Sequence, residues 1–183
     1  MRTLLACLLL AVPGPLWAKN WTVDPAKSEI LFTYERAEQP AEGRFDRFQG
    51  EGFIDLDNLE DTRLWIRIES SSIDLNERLA SAFATSAEWF DSKNHPLIVF
   101  ELIAITRDDE TSFSAQGDLT IRGKTERVMV PIELTFVDGQ ARAKGDIRLK
   151  RSDYLIGVGP SAAFVTIGPD VSVYFDLTAT PVE

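Results

Sequence analysis

One histidine, His95, and one cysteine, Cys7, are all that this chain offers for nucleophilic or soft-metal chemistry. His95 sits in Asn94-His95-Pro96, a turn before an apolar run, and no G-x-S-x-G elbow sets a serine against it. An imidazole so placed caps a turn or meets solvent. Zinc and iron sites of the His/Cys type fail on ligand number. Asp55, Asp57 and Asp61 cluster, but not at EF-hand spacing, and read as a solvated turn. No glycine-rich loop opens a helix to cradle phosphate. Two-carboxylate glycoside hydrolysis stays open, because Asp and Glu number 29. Glu101 shares parity with Val99 and Ile103, so it is a candidate buried acid. The even set Ile98, Phe100, Leu102 and Ala104 makes the better inward face, which leaves Glu101 in solvent. No metal or cofactor is expected.

The elements that would position any site are strands. From Phe113 to Ile121 the odd residues are apolar or small and the even ones polar. The phase swaps after Gly123-Lys124, to Val128, Val130, Ile132, Leu134 and Phe136. It swaps again at Asp138-Gly139, to Ala141, Ala143, Gly145, Ile147 and Leu149. Period-two alternation predicts a sheet with one buried and one wet face, and Asp-Gly fits a type I′ hairpin. Similar runs lie at Ser28–Tyr34, Arg44–Leu56, Leu64–Ile68, Leu97–Thr106 and Val171–Ala179. Gly50 and Gly52, just past a phase slip between Phe45 and Phe48, suggest a bulge or sharp bend. Residues 37–43 read as a polar loop. Residues 76–94 break the pattern, with one or two helical turns over Ser81–Asp91 and three aromatics, Phe83, Trp89 and Phe90, capping one end. Phe164 and Val165 fall in a Gly/Pro-interrupted loop, exposed on sequence grounds.

Composition bounds the function. A chain of 183 residues that is 44% hydrophobic supports one core and one domain. A formal charge of -10 argues against nucleic acid or anionic lipid surfaces as partners. Residues 1–18 read as a secretory signal peptide: Arg2, the apolar run Leu4–Val12, a Pro13-Gly14-Pro15 breaker and a small residue at Ala18. That run is too short to span a bilayer. Cleavage there leaves residues 19–183 as the domain, cysteine-free and without a transmembrane segment.

Five segments carry a family resemblance. Gly117-Asp118-Leu119-Thr120-Ile121-Arg122-Gly123-Lys124-Thr125 resembles the G-x-L-T-I-R-G-x-T segment of the YceI-like family. Trp21, Asp24, Pro25, Ser28 and Phe32 match its W-x-x-D-P-x-x-S-x-x-x-F opening, and Gly43, Phe45, Phe48 and Gly50 its G-x-F-x-x-F-x-G. Phe90, Asp91, Pro96 and Phe100 are similar to F-D-x-x-x-x-P-x-x-x-F. Arg151, Asp153, Tyr154 and Ile156 follow R-x-D-F-G-I, with Leu155 in place of the usual glycine. Histidines that the family often has near Lys27 and Arg36 are missing.

The resemblance implies an all-β fold: a single antiparallel up-and-down, lipocalin-like barrel of about eight strands, capped at one end by short helical turns. It implies a non-catalytic periplasmic carrier for an amphiphilic isoprenoid-type lipid, a polyisoprenoid or an isoprenoid quinone. A ligand-free interaction domain, with outward Trp65 as a homodimer contact, is the further alternative to the glycosidase. Register arithmetic places the cavity. With turns at Gly123–Glu126 and Asp138-Gly139, the inward rows are Ala115–Leu134–Ala143 and Gly117–Ile132–Gly145. The lipid tail is then expected beside Ala115, Gly117, Ala143 and Gly145, above a packed floor of Leu119, Ile121, Val128, Val130, Ile147 and Leu149. Phe32 and Phe100 reach in from the opposite wall, as ligand contacts or as fillers of the gap. Arg151, Asp153 and Tyr154 are the candidate head-group contacts.

Overall fold

The computed structural model describes residues 18–160 and 166–182. Met1–Trp17, nearly all of the expected leader, lies outside them, as do Phe164 and Val165.

Alternating sequence becomes strand, and the first three staves of the sheet are each broken once. β1 (Ala18–Val23) and β2 (Glu29–Arg36) are joined by a single 3-10 turn. Asp24 caps that turn by accepting from the Ala26 N–H at 3.0 Å, and Pro25 follows where a missing N–H costs nothing. Ser28 ties the corner to the last strand. The Thr178 N–H donates to its Oγ at 2.9 Å, and its hydroxyl donates to the Asp24 carbonyl at 2.7 Å. The spacing D-P-x-x-S is therefore a corner built from three polar contacts. β3 (Gln39–Phe45) and β4 (Phe48–Asp55) are separated at Asp46-Arg47, where the phase slip was read. β5 (Arg63–Glu69) and β6 (Ile73–Asp74) are separated by a 3-10 turn at Ser70–Ser72.

Five longer strands complete the sheet: β7 (Leu97–Arg107), β8 (Ser112–Ile121), β9 (Lys124–Val137), β10 (Gln140–Lys150) and β11 (Ile167–Pro181). Each pairs antiparallel with its sequence neighbours. β11 pairs with both β2 and β1, so the ring closes on itself. Counting each broken pair as one stave gives an eight-stranded up-and-down barrel. Because connections alternate between ends, residues 37–38, 75–96, 122–123 and 151–160 gather at one end, with helix α1 (Arg78–Ala84) among them. Residues 56–62, 108–111 and 138–139 gather at the other. The first end is here called the mouth and the second the floor.

Asp138 and Gly139 have φ of 52° and 74°, the type I′ hairpin expected, and Ala143 lies opposite Leu134. The preceding turn is tighter than expected. It is the pair Arg122-Gly123 (φ 49° and 71°), so Ile121 faces Lys124 and Ala115 faces Val130, not Leu134. The error is four residues. An even slip keeps every side chain on its own face, so the inward set survives while the rows do not. Residues 37–43 are not a loop. Ala37 and Glu38 (φ 50° and 62°) make a two-residue turn, and β3 starts at Gln39. Neither residue advertises a turn, and Pro40 imitates a breaker. Glu101 is exposed as expected, but a bulge at Ile103 turns Ala104 out and Ile105 in.

Gly145 and Pro131 explain a seam. Pro131 has no N–H for the ladder, and the β9–β10 pairing ends at Ile132–Gly145. A Cβ on Gly145 would strike the Pro131 carbonyl and the Phe175 ring, so the glycine serves backbone approach.

On the outer wall Arg142 forks onto Asp176, at 2.7 and 2.6 Å, with Lys144 at 3.5 Å. The Arg142 hydrogen bonds hold the Asp176 carboxyl below its ordinary pKa, against the opposing pull of burial. A carboxyl with a lowered folded-state pKa stabilises the fold above its unfolded value, and that share is lost as pH falls through the folded value. Asp176→Asn should therefore cost about 1–3 kcal/mol at neutral pH and progressively less as the solution is acidified below the ordinary carboxylate range. Urea midpoints of both proteins against pH check this; a constant gap from neutral to acid contradicts it.

Candidate functional site

Inward side chains from every stave surround one cavity of about 750 Å³. That is toward the upper end of ligand pockets, roughly 300–1,000 Å³, and would hold roughly 25 waters at liquid density. Its wall is Ile, Leu, Val and Phe nearly from end to end, including Ile30, Ile66, Ile98, Val130, Ile147 and Val173. Water in such a space finds few partners, so the lumen favours an apolar occupant.

The floor is made by Trp21, Leu134, Ala141, Ala143 and Ala179, with Phe113 packed beneath. The mouth is roofed by α1 and the turns after it. Phe83 packs on Trp89 at 5.8 Å between ring centres, and Phe45 meets Phe90 edge-on at 5.9 Å. The Trp89 indole N–H is buried without a hydrogen-bond partner, so ring packing holds this side chain. Apart from Glu51, on the outward parity of β4, the charged and phenolic groups that touch the lumen gather at the rim. Arg36 pairs with Glu77 at 3.4 Å there, and Tyr154 contributes a phenol whose pKa burial pushes up to about 12. Tyr154 is thus a neutral hydroxyl across the physiological range.

Ten of the fourteen expected contacts line the cavity: Phe32, Phe83, Trp89, Phe90, Phe100, Ile132, Leu134, Ala143, Arg151 and Tyr154. Ala115, Gly117, Gly145 and Asp153 do not. Ala115 is fully buried in the wall beside Val130. Gly117 gives its space to the Phe100 ring and Gly145 to Phe175, so these small residues receive aromatic neighbours rather than leave a void. Asp153 is exposed outside the lumen. The expected packed floor is also overturned: Leu119, Ile121, Val128, Val130, Ile147 and Leu149 all line open space. They belong to the mouth half, because β8 and β9 turn there.

Arg151 has a different use from head-group contact. Its guanidinium donates to four carbonyls, Ile156 at 2.7 Å, Gly157 at 2.8 Å, Gly168 at 2.9 Å and Ile167 at 3.1 Å. It fastens the two ends of the 151–166 connection. Arg122 performs a related task, donating to the Leu155 carbonyl and to the Ala87 carbonyl at 2.6 Å. This joins the β8–β9 turn to both roofing loops. Leu155 itself is left-handed (φ 56°), which explains why glycine is usual in the resembling motif.

Two contributors were missed: Arg36 and Glu77, which close the rim from 41 residues apart in sequence. No sequence signal links them, since neither lies in a motif and their meeting depends on β2 ending beside α1.

No cluster of three or more His, Cys, Asp or Glu that could hold a metal occurs among the described residues. Two acids touch the lumen. Glu51 stands on the outward parity of β4 and Glu77 is paired with Arg36, so they do not form the facing pair that glycoside hydrolysis requires. Trp65, the dimer contact of the alternative interaction-domain reading, lies under the Arg67 guanidinium at 4.2 Å.

The model of the YceI-like domain matches residues 21–179. A UPF0312 protein of Vibrio cholerae is 25% identical over 176 residues, covering 90% of this chain and 93% of its own. Burkholderia cenocepacia BcnA superposes with a TM-score of 0.81 at 28% identity, over 86% of this chain and 99% of that one. A polyisoprenoid-binding domain from Saccharophagus degradans, implicated in plant cell wall breakdown, has a TM-score of 0.73 at 13% identity, over 88% and 98%. With a closed eight-stave barrel, five motifs in order and a family match from Trp21 to Ala179, this chain belongs to the YceI-like domain family.

Proposed function

We propose that the protein is a non-catalytic periplasmic carrier that holds one long-chain amphiphilic lipid of the polyisoprenoid or isoprenoid quinone class in its lumen. The observation that carries this is the 750 Å³ cavity, apolar along nearly all of its depth, with its polar groups gathered mainly at the rim. A tail fits the depth and a small head fits the rim. Each buried methylene gains about 0.8 kcal/mol, so twenty carbons gain about 16 kcal/mol gross. Ordering the tail and losing its free motion take back a large share. Binding then needs no covalent bond and no ion pair. The binding partner of the Saccharophagus domain supports the isoprenoid assignment, and the tripartite segment at residues 1–18 supports export.

Native mass spectrometry of protein purified from its own periplasm tests the proposal. The expected result is a single adduct per chain whose extracted mass is that of an isoprenoid lipid. An empty barrel under conditions that retain cargo in other lipid carriers, or a sugar or peptide adduct, would overturn it.

A further inference from the structure

The barrel is electrically lopsided along its axis. The three floor connections carry seven acids, Asp57, Glu60 and Asp61, then Asp108, Asp109 and Glu110, then Asp138, against two arginines that reach in from the adjoining strand ends, Arg63 to the Glu60 carbonyl and Arg107 to the Leu56 carbonyl. At the mouth, the four connections nearly balance, with Glu38, Glu77, Glu88, Asp91 and Asp153 against Arg78, Lys93, Arg122 and Arg151. The acidic excess of the connections therefore lies at the end away from the opening. The mouth also exposes apolar side chains. Leu79 is 80% exposed and Phe83 40%, and both continue into the lumen. Leu155 and Val158, in another connection at the same end, are 41% and 53% exposed. Exposed Val137, at the floor, sits next to Asp138 and among the acids.

We infer that the mouth face is a docking surface for a phospholipid bilayer, and that the molecule approaches mouth first. The inference rests on the carrier reading, since a lipid tail that fills the lumen has to leave a membrane without crossing much water. Its energetics decide the orientation. Strands of 10 to 15 residues at about 3.3 Å per residue, tilted by about 40°, make a barrel roughly 30 Å tall. At physiological salt the Debye length is about 8 Å, so acids that far from the surface are screened from an anionic bilayer. Docked floor first or sidewise, the same acids would meet the bilayer's negative charge at close range. The net negative charge, which argued against membranes, is thus compatible with one orientation only.

Salt gives this surface a signature opposite to that of a basic patch. At about 10 mM salt the Debye length is roughly 30 Å and the floor acids are felt; at about 150 mM they are not. Sedimentation with phosphatidylethanolamine–phosphatidylglycerol vesicles at the two salts tests it, using the mature chain. Bound wild type should rise severalfold from low to high salt. Leu155→Asp/Val158→Asp should bind about tenfold less, because two side chains that leave water on docking become charged. Neither residue lines the lumen, so quenching of tryptophan emission by farnesol should match wild type and certify the fold. Val158→Asp alone carries the test if the pair does not fold. Met129→Asp, on the barrel wall, should bind vesicles as wild type does. Absence of vesicle binding, binding that falls with salt, or a loss by Met129→Asp equal to that of the mouth variant would each overturn the docking face. Cargo found by mass spectrometry in a protein that ignores vesicles sinks the docking face alone. Vesicle binding by a protein with no cargo sinks the carrier reading and leaves the docking face standing.

Discussion

Ala143→Phe is expected to strip the barrel of its long-chain lipid while leaving short isoprenoids bound. Ala143 lines the lumen near the floor, opposite Leu134 on one side and Leu177 on the other. A phenyl group there occupies the space of the last six or so carbons of a tail, worth about 5 kcal/mol gross, or more than a thousandfold in affinity. Re-coiling of the tail toward the mouth recovers part of this, so a loss of at least about a hundredfold is the working figure. Farnesol, which need not reach the floor, should bind within about threefold of wild type. The substitution fills open space rather than a packed core, so the fold should survive it. Mass spectrometry of cargo, farnesol titration and circular dichroism on one preparation give the three readouts. Long-chain cargo retained at the wild-type level would show that the floor end is not part of the binding path. Farnesol lost together with the long lipid, in a folded protein, would show that the lumen does not act as a measure of length.

How far the sequence could be read depended on whether a feature repeats along the chain or across it. Alternation is a local property, so most strands, their inward sets and the Asp138-Gly139 turn were legible, while the start of β3 and the parity of β7 beyond its bulge were not. The motifs were legible as spacings and became intelligible as contacts. Asp24, Pro25 and Ser28 are a corner, Gly43 clears room for the Phe32 ring, and Thr120 and Thr125 share a hydroxyl hydrogen bond at 2.8 Å across the β8–β9 hairpin. What failed was volume. Small residues at Gly117 and Gly145 signal either a void or a large neighbour, and only the partner strand says which. Phe100 and Phe175 are those neighbours. The register error at Arg122-Gly123 has a related cause. An arginine at left-handed φ is uncommon outside such tight turns, so composition favoured the longer turn. The polar end of the site was the least legible, because Arg151 has the type expected of a head-group ligand while its partners are carbonyls brought together by a loop closure.

That reassignment makes Arg151→Met the sharpest test of how the mouth is built. Four carbonyls, from Ile156, Gly157, Ile167 and Gly168, share one guanidinium, whose plane also lies 5.8 Å over Trp89. Hydrogen bonds to a charged donor are worth about 1.5–3 kcal/mol each when made, and a buried acceptor left without a partner costs about 1–3. Solvent can reach some of these carbonyls once the connection loosens, so the four do not add; a net loss of about 3–4 kcal/mol is the reasonable figure. For a chain of this size that lowers Tm by roughly 10 °C. Lysine should rescue little, because an ammonium is a point donor and cannot fork onto carbonyls at both ends of the connection. Cargo should still be found on the variant at low temperature, since Arg151 makes up none of the apolar depth of the lumen, but it should be released faster as Trp89 loses its support. Thermal unfolding and a cargo-release time course separate the two roles open to this residue. A Tm within about 2 °C of wild type, accompanied by complete loss of cargo, would mean that Arg151 holds the lipid head directly; a large fall in Tm with cargo retained means that it holds the mouth together.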